Sequence, residues 1–343
     1  MSHSTDNAPR VCLVGVFPPP VHGMSFVNAQ MRQRLDARGI APAVINLSNA
    51  TLDRSPSARL RRLAIVRAGL REFVRLRPAA VYMSVSGGWG QVYETMFCRR
   101  ARRANARLFL HHHSYAYLDR PHAVTTRLVK TAGDDATHIV LSEDMANRLH
   151  HHYGCRHITA ISNAVFTEPV AGRVRPGLRT LGFLGNIAPE KGILEFLGVH
   201  AATKLRAIVA GPIVSKRIKT AMLAGVEYVG PKYGDEKRKF FDDIDLLLFP
   251  SKYSHEAEPL TVLEAMAHGV PVIATPRGCL PDIVAGGVVP AGKDFVPIAA
   301  EQIRRWGASP EEFIAASRAA MNRFHELQRG AARALDELIR QLE

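Results

Sequence analysis

Residues 251–276 constrain the fold most, because they predict a loop, a helix and a strand in a fixed order. The apolar run 244–249 before them is short enough for a buried parallel strand. Pro259 fits the first turn of a helix, and Gly269 suits its C-terminal end. Residues 270–274 then predict the next buried strand. Strand, loop, helix and strand in succession indicate a doubly wound α/β domain.

Two glutamates flank the predicted start of this helix. Glu256 precedes the helix, and Glu264 follows it by eight positions, inside the helix. The N–H groups near Leu260 and Thr261, with the positive end of the helix dipole, favour a phosphate. Carboxylates accept hydrogen bonds from hydroxyls, so we expect a sugar at one glutamate and a ribose at the other. The alternative is two solvated carboxylates beside an ordinary helix.

The complete sequence of residues 251–276 favours a ligand site. Glu256 and the segments 259–261, 264–267 and 269–274 together resemble the E-x7-E signature of family 4 of the retaining glycosyltransferases. The resemblance implies a GT-B fold, in which two doubly wound α/β domains face each other across a cleft. One departure is Glu258, where the family usually has an aromatic residue. It adds a negative charge beside the expected donor site.

The length and the composition of the chain are compatible with such a protein. A chain of 343 residues, 47% hydrophobic and 22% charged, is long enough for two domains. We expect no membrane-spanning segment and no secretory signal, since no apolar run approaches the required length and residues 1–10 are polar. Four scattered cysteines argue for a reducing cytoplasm and against a disulfide scaffold or a zinc knuckle.

Positive charge is concentrated in the first half of the chain. The net charge is +14, and residues 1–165 contain 22 Lys and Arg against 10 Asp and Glu. Two predicted helices, near 59–77 and 99–107, contain most of these arginines. They form either a solvated surface or a peripheral membrane face, since related enzymes often act on lipid-linked acceptors. Aromatic residues make up only 7%, which argues against a stacking platform for nucleic acid.

The first predicted domain opens with a strand at 11–17, a proline-rich loop and a helix. The loop lacks a G-x-G-x-x-G fingerprint, which argues against a nicotinamide cofactor. Its sequence, which includes Gly23 and Ser25, resembles the acceptor-side loop of many family 4 enzymes. Gly23 has no side chain, so a ligand could approach its backbone closely. A plain tight turn is the alternative.

Three consecutive histidines follow the predicted strand 108–110. Successive strand residues point to opposite faces, so the three are poor ligands for one metal ion. The resemblance implies that a histidine at this place lies beside the reacting sugar. We assign this role to His113, with His111 on the same face as second choice. The alternative is a histidine that only satisfies a loop carbonyl.

The second domain opens with a strand at 180–185 and a loop that ends at Gly192. In the resembling family an arginine and, five residues later, a lysine bind the donor diphosphate. Lys191 matches the lysine, but Asn186 stands where the arginine is expected, and Lys252 is the nearest replacement cation. The D-x-D string at 243–245 leads into a buried strand, so we interpret it as a helix end and a strand start rather than a metal site.

The predicted domains are 1–168 on the acceptor side, 178–309 for the nucleotide sugar, and C-terminal helices at 310–343 that pack back on the first domain. Residues 166–179 are the expected linker. The implied activity is metal-independent transfer of a sugar, with retention, from a donor such as a UDP- or GDP-sugar. No other cofactor is expected. The acceptor would be a glycan or a lipid-linked sugar in cell-surface polysaccharide or glycolipid synthesis.

Two other functions remain open from the sequence. One is an enzyme of the same fold that hydrolyses or epimerises its nucleotide sugar. The other is a non-enzymatic protein that binds nucleic acid through its basic half. The expected location is the cytoplasm, with possible attachment to the inner face of the membrane.

Overall fold

The structure is a computed structural model that describes residues 10–48, 56–168, 170–284 and 286–343. For residues 56–59 it describes the backbone only. The chain forms two compact units. The first contains the described residues up to Phe166 together with Gly330–Glu343, and the second contains Thr167–Arg329.

Parallel strands build the sheet of the first unit. In the described part of the chain its order is β2-β1-β3-β4-β5-β6, so the strand order reverses between β1 and β3. The strands are β1 (Val11–Gly15), β2 (Ala43–Asn46), β3 (Ala80–Val85), β4 (Arg107–His112), β5 (Thr137–Val140) and β6 (Ile158–Ala160). The four central strands, β1 and β3 to β5, are almost entirely buried, as the apolar runs in the sequence predict, whereas the edge strands β2 and β6 are mostly half-buried.

Helices connect these strands. The basic helix expected near 59–77 is present at 56–76, and the one expected near 99–107 lies at 91–103, so that Arg107 belongs to a strand. Both are amphipathic, and their apolar residues contact the sheet or each other. The helices are α1 (Gly23–Ala37), α2 (Pro56–Leu76), α3 (Gln91–Arg103), α4 (Ala116–Asp119), α5 (Ala123–Ala132) and α6 (Glu143–Tyr153).

The second unit has its own parallel sheet and its own core. The strand order among its described residues is β11-β10-β7-β8-β9, which reverses between β7 and β10. The strands are β7 (Thr180–Leu184), β8 (Arg206–Ala210), β9 (Glu227–Tyr228), β10 (Leu246–Phe249) and β11 (Val272–Ala274). The helices are α7 (Ile193–Thr203), α8 (Gly234–Asp243), α9 (Leu260–Ala267), α10 (Leu280–Ile283) and α11 (Phe295–Ala308).

The last helix, α12 (Pro310–Leu342), has the bounds that the sequence predicts. Its final turns belong to the core of the first unit, where Leu335, Leu338 and Leu342 are each at most 3% exposed. The expected crossing of the C-terminal helix to the first domain is therefore confirmed. Residues 310–329 of this helix belong to the second unit, and Gly330–Glu343 belong to the first.

The segment expected to be a hydrophilic linker is in part buried. Arg175 is 0% exposed. Its guanidinium donates hydrogen bonds to the carbonyl oxygens of Asp242 at 3.0 Å, Phe241 at 2.9 Å and His268 at 3.2 Å. These bonds pair both terminal nitrogens of the guanidinium, whereas Nε has no partner in the described residues, and they hold this part of the segment against the second unit. No helix in the described ranges is long and apolar enough to cross a membrane.

Candidate functional site

Two segments of the second unit meet where its strand order reverses. Residues 185–192 follow β7, and residues 250–259 follow β10, the neighbour of β7. Ligands of open parallel sheets bind outside the carboxyl ends of the strands at such a point. Gly192 has a φ of 83°, and a Cβ atom there would lie 2.2 Å from the carbonyl oxygen of Pro250. Glycine is therefore required for the two segments to pack this closely.

Lys191 and Glu256 form an ion pair across these segments. Lys191 Nζ donates to Glu256 Oε2 at 2.6 Å, and the Ser251 hydroxyl donates to the same oxygen at 2.9 Å. The ammonium of Lys191 also lies 4.4 Å from the centroid of the Tyr253 ring. The two charged side chains are 23% and 12% exposed, so the pair is largely shielded from water. The fold thus brings together two residues that the sequence analysis assigned separately to the donor site.

Helix α9 begins directly after the Glu256 loop. Pro259 is its N-cap residue, with φ of −72° and ψ of 123°, and is not part of the first turn as expected. Leu260 and Thr261 begin the helix, and N–H groups of a first turn have no partner within the helix. The positive end of the helix dipole therefore adjoins the loop of Glu256, which is an arrangement that favours a phosphate.

Glu264 is bound by a lysine that the sequence analysis missed. Lys237 of α8 donates from Nζ to Glu264 Oε1 at 2.5 Å. The other oxygen, Oε2, is buried and has no hydrogen-bond partner in the described residues. Burial raises the pKa of Glu264, and the charge of Lys237 opposes this shift. Lys237 lies in the charged run 235–239, where nothing in the sequence distinguishes it from its neighbours.

The two departures from the family pattern have different surroundings. Asn186 is exposed after β7. Lys252, the proposed replacement cation, forms an ion pair with Glu195 of α7 and is 60% exposed. Its backbone N–H donates to the carbonyl of Glu190 at 2.8 Å, so it lies beside the segment that follows β7. Glu258 is buried, with 5% exposure.

The three histidines at the end of β4 divide between two faces. His112 lies 2.7 Å through Nδ1 from the Tyr117 hydroxyl, and 2.9 Å through Nε2 from His138 Nδ1. His111 and His113 lie together on the other face, with ring centroids 4.0 Å apart. This division follows the alternation of side chains along a strand. Both ring nitrogens of His112 are used in a buried network, whereas His111 and His113 share the face assigned to the site.

His113 is the first residue after β4 and is less buried than its two neighbours. Its Nε2 has no hydrogen-bond partner in the part of the chain that the structure describes. Burial and the nearby His22 lower the pKa of His113 to about 3. Its imidazole is therefore neutral at pH 7 and can offer one donor or one acceptor to a ligand. His111 is hydrogen-bonded to the Tyr82 hydroxyl, and burial lowers its pKa well below the ordinary value.

Gly23 and Ser25, expected on the acceptor side, differ in accessibility. Ser25 is 0% exposed. Its hydroxyl donates to the carbonyl of Pro20 at 2.9 Å and accepts from the backbone N–H of His22 at 2.9 Å, as part of a capping box that starts α1. Ser25 therefore shapes the loop and does not present its hydroxyl to solvent. A Cβ atom at Gly23 would meet nothing within 4 Å, so the backbone there is open.

The aspartates of the D-x-D string lie on either side of a helix end. Asp243 ends α8, and Asp245 precedes β10 and accepts from the N–H groups of Arg179 and Thr180 at 2.9 and 3.0 Å. The interpretation as helix end and strand start is confirmed. Within the described ranges no three His, Cys, Asp or Glu side chains are grouped to hold a metal ion.

Part of the second unit resembles a known family in sequence. Residues 178–307 match the family model described as Glycosyl transferases group 1. A GDP-mannose-dependent alpha-mannosyltransferase of Mycobacterium tuberculosis is 30% identical over 122 residues, which cover 34% of this chain and 32% of that protein. Its namesake from Mycolicibacterium smegmatis is 32% identical over 109 residues, 32% of this chain and 28% of that protein. The chain spans about a third of the length of the curated relatives it matches.

Solved structures resemble the whole chain. The sucrose-phosphate synthase of Thermosynechococcus elongatus has a TM-score of 0.76 at 16% identity, covering 97% of this chain and 98% of that one. HepE of Anabaena, crystallised with UDP-glucose, has a TM-score of 0.65 at 15% identity, covering 96% and 98%. The chain has the GT-B fold. The predicted pair of Rossmann-like domains is confirmed.

Proposed function

We propose that the chain is a retaining, metal-independent glycosyltransferase that moves a sugar from a nucleotide-sugar donor to an acceptor hydroxyl. The observation that supports this best is the Lys191–Glu256 pair at the β7/β10 reversal, next to the start of α9. A cation, a carboxylate and a helix N-terminus are suited to a sugar that is linked to a diphosphate. The segment that matches the group 1 family contains all three.

Stabilisation of the leaving group is the proposed role of Lys191 and of the N–H groups of Leu260 and Thr261. When the anomeric bond breaks, negative charge develops on the departing diphosphate, and these donors would bind it more strongly than the ground state. Lys191 has three ammonium hydrogens, so it can contact a phosphate and still hold Glu256. Asn186 would contribute an uncharged amide, and Lys252 would add a second cation after leaving Glu195.

Hydroxyl recognition is divided between the two glutamates in this proposal. Within the described residues, both hydrogen bonds to Glu256 fall on Oε2, so Oε1 would accept from hydroxyls of the donor sugar. The unpartnered Oε2 of Glu264 would accept from the ribose. In the first unit, His113 would contact the reacting sugar as a neutral imidazole, and Gly23 would border the acceptor.

The donor site is tested by thermal shift with GDP, UDP and ADP in the presence of EDTA. At least one nucleotide should raise the melting temperature, because the site is built from a lysine and a helix end. Lys191→Met should abolish the shift, and Lys293→Met, which removes an exposed lysine in another loop, should leave it intact. Equal melting temperatures with and without all three nucleotides would contradict the proposal.

The reaction is tested with GDP-mannose first, since the curated relatives are described as GDP-mannose-dependent, and then with UDP-glucose. The acceptors are a panel of glycans and lipid-linked sugars. Retention predicts an α-linked product from a donor whose sugar is α-linked, and NMR of the product distinguishes this from inversion. Release of free sugar without an acceptor would indicate a hydrolase, and a changed nucleotide sugar would indicate an epimerase.

We also propose that the first unit docks on an anionic membrane at the cytoplasmic face to reach a lipid-linked acceptor, as in cell-surface polysaccharide or glycolipid synthesis. Helix α2 supports this, because Leu60 and Leu63 are 70% and 45% exposed among exposed arginines. Trp89, before α3, is 82% exposed. Each cation at an anionic surface contributes roughly 1 kcal/mol, so several arginines would give measurable binding.

Vesicle sedimentation tests this docking. The protein should bind vesicles that contain anionic lipid but not neutral ones, and salt should weaken binding because screening acts over about 8–10 Å. Replacing Arg61, Arg67 and Arg71 should reduce binding, and replacing the exposed Arg304 and Arg305 of the second unit should not. If the protein ignores anionic vesicles at low salt, the arginines are a solvated surface.

A further inference from the structure

An ion pair joins helix α8 to helix α9, whose N-terminus belongs to the proposed donor site. Lys237 of α8 donates from Nζ to Glu264 Oε1 at 2.5 Å, and the two side chains are 33% and 15% exposed. Ion pairs in full contact with solvent contribute little, because water and salt screen them. This pair is shielded from most of the solvent, so the contact can fix the carboxylate of Glu264 in one orientation.

The second oxygen of Glu264 is left for a ligand. Oε2 is buried and has no hydrogen-bond partner in the described residues. Buried polar atoms are nearly always paired, and a carboxylate oxygen can accept more than one hydrogen bond. Because Lys237 occupies Oε1, hydroxyl groups of a ligand would meet Oε2. The ion pair therefore determines which oxygen of the carboxylate is presented to a ligand.

Lys237 also opposes the effect of burial on the charge of this carboxylate. Burial raises the pKa of Glu264, the ammonium of Lys237 lowers it through its charge and its hydrogen bond, and the carboxylate of Glu168 raises it further. Glu168 is itself bound by Arg238 of α8 at 2.8 Å, and this second pair is more exposed, at 63% and 48%. A buried carboxylate keeps its charge only where a partner compensates for the lost hydration. Among the described residues Lys237 is the cation that does so here.

We propose that Lys237 is a positioning residue, which holds Glu264 by Oε1 so that Oε2 accepts from the ribose hydroxyls of the donor nucleotide. The inference rests on the proposed function, because that function places the ribose at Glu264. It adds that recognition of the ribose depends on α8 as well as on α9. It also implies selection of ribonucleotides over nucleotides that lack the 2′ and 3′ hydroxyls, since a hydrogen bond to an ionised carboxylate is stronger than one to a neutral acid.

Titration calorimetry with GDP and 2′,3′-dideoxy-GDP tests the proposal, with the UDP pair in their place if GDP does not bind. The ratio of the two Kd values isolates the hydroxyls, because both ligands have the same base and phosphates. In the wild type the dideoxy nucleotide should bind about tenfold more weakly at pH 6 and at pH 8. In Lys237→Met the ratio should fall to about threefold or less at pH 6 and should increase with pH, as the uncompensated carboxyl group ionises.

Two variants of α8 serve as controls. Lys237→Arg can keep the ion pair and should restore a ratio within about twofold of the wild type. Lys239→Met removes an exposed lysine from the same helix and should leave the ratio unchanged. If Lys237→Met does not fold, Lys237→Gln, which also removes the charge, takes its place.

A double-mutant cycle separates positioning from direct contact with the nucleotide. If Lys237 acts through Glu264, adding Lys237→Met to Glu264→Gln should change the Kd of GDP less than about twofold. An equal loss of affinity in the wild-type and Glu264→Gln backgrounds would show that Lys237 binds the nucleotide itself, and would overturn the proposal.

Carboxyl carbon NMR adds a measurement that needs no nucleotide. The Glu264 signal, assigned with Glu264→Gln, should titrate at higher pH in Lys237→Met than in the wild type, and an unchanged midpoint would contradict the inference. If neither GDP nor UDP binds the wild type, the proposed function fails and the ribose role fails with it. If a nucleotide binds the wild type but the ratio is the same in Lys237→Met, this inference fails and the donor site stands.

Discussion

Glu94→Gln should stabilise the protein, and the gain should increase with pH. Burial raises the pKa of Glu94 to about 7 from the ordinary 4.5. A carboxyl group whose pKa is higher in the folded than in the unfolded chain binds more protons in the folded state, so its contribution to stability falls as pH rises. Glutamine has the same shape and cannot ionise, so the variant avoids this loss.

The size of the effect follows from the two pKa values. The loss begins near pH 4.5, where the unfolded chain ionises, and levels off above pH 7, where the folded chain does. Between about pH 5 and pH 8 the free energy of unfolding of Glu94→Gln should gain about 2–3 kcal/mol relative to the wild type. Buried His113 and His138, whose pKa values are lowered to about 3 and about 4, act in the opposite direction and stabilise the fold as pH rises. The difference between variant and wild type is therefore the informative quantity.

Thermal and urea unfolding at half-unit steps of pH measure this difference. Glu72→Gln is the control, because its carboxylate is 40% exposed and pairs with Arg75 at the surface, where such pairs contribute little. The control should differ from the wild type by a small and nearly constant amount. A difference for Glu94→Gln that stays constant, or shrinks, as pH rises would refute the argument from burial.

Three further predictions concern the second unit and the last helix. Glu264→Ala should weaken GDP or UDP binding about tenfold in calorimetry, because the ribose loses its acceptor, and an unchanged affinity would remove that assignment. Arg175→Met should lower the free energy of unfolding by about 3 kcal/mol, because it leaves two buried carbonyl oxygens and one partly buried one without this donor; an unchanged urea midpoint would show that water replaces it. Leu335→Ala should cost about 2–5 kcal/mol through a cavity in the first unit, measured against the exposed Arg333→Ala, and equal midpoints would mean that the core does not need α12.

The main elements of the fold were predictable because their signals are local. Buried parallel strands are short apolar runs, and those at 244–249 and 108–110 correspond to β10 and β4. Helix α12 was predicted to the residue, since apolar positions repeat at three- and four-residue spacing throughout it. The predicted strand ends were less accurate. The first strand was expected to reach residue 17 but ends at Gly15, because Phe17 is apolar and buried without being part of the strand.

The burial of Arg175 within the expected linker was not predictable from the sequence. Residues 166–179 are hydrophilic, and this composition does not distinguish Arg175 from its neighbours. Its burial depends on the carbonyl oxygens of Phe241 and His268, which lie 66 and 93 positions away in the sequence. A buried guanidinium needs several hydrogen-bond acceptors close to it, and no local sequence pattern shows where the fold brings such acceptors together.

For the candidate site, the sequence indicated candidate residues but not which of them form ion pairs. The spacing of Glu256 and Glu264 was informative because a helix start between them is a local feature. The pairing of Lys237 with Glu264 depends on how α8 lies against α9. Glu94 did have a local signal that was not used, since it shares a helical face with the apolar residues at 97, 98 and 101. A glutamate on an apolar stripe is expected to be buried.

The two units place a carboxyl group in corresponding positions. In each unit, one of the two strands between which the strand order reverses is followed by a helix with a glutamate among its first five residues. In the first unit β3 is followed by α3 with Glu94, and in the second β10 is followed by α9 with Glu264. Both carboxyl groups are largely buried: Oε2 of Glu264 has no hydrogen-bond partner in the described residues, and Glu94 is hydrogen-bonded by Ser86. The neighbouring cations act differently. Lys237 donates a hydrogen bond to Glu264, whereas Arg62 affects Glu94 only through a longer-range electrostatic interaction. The Lys237 ammonium therefore opposes the rise that burial causes in the pKa of Glu264, whereas at Glu94 burial prevails and raises the pKa to about 7.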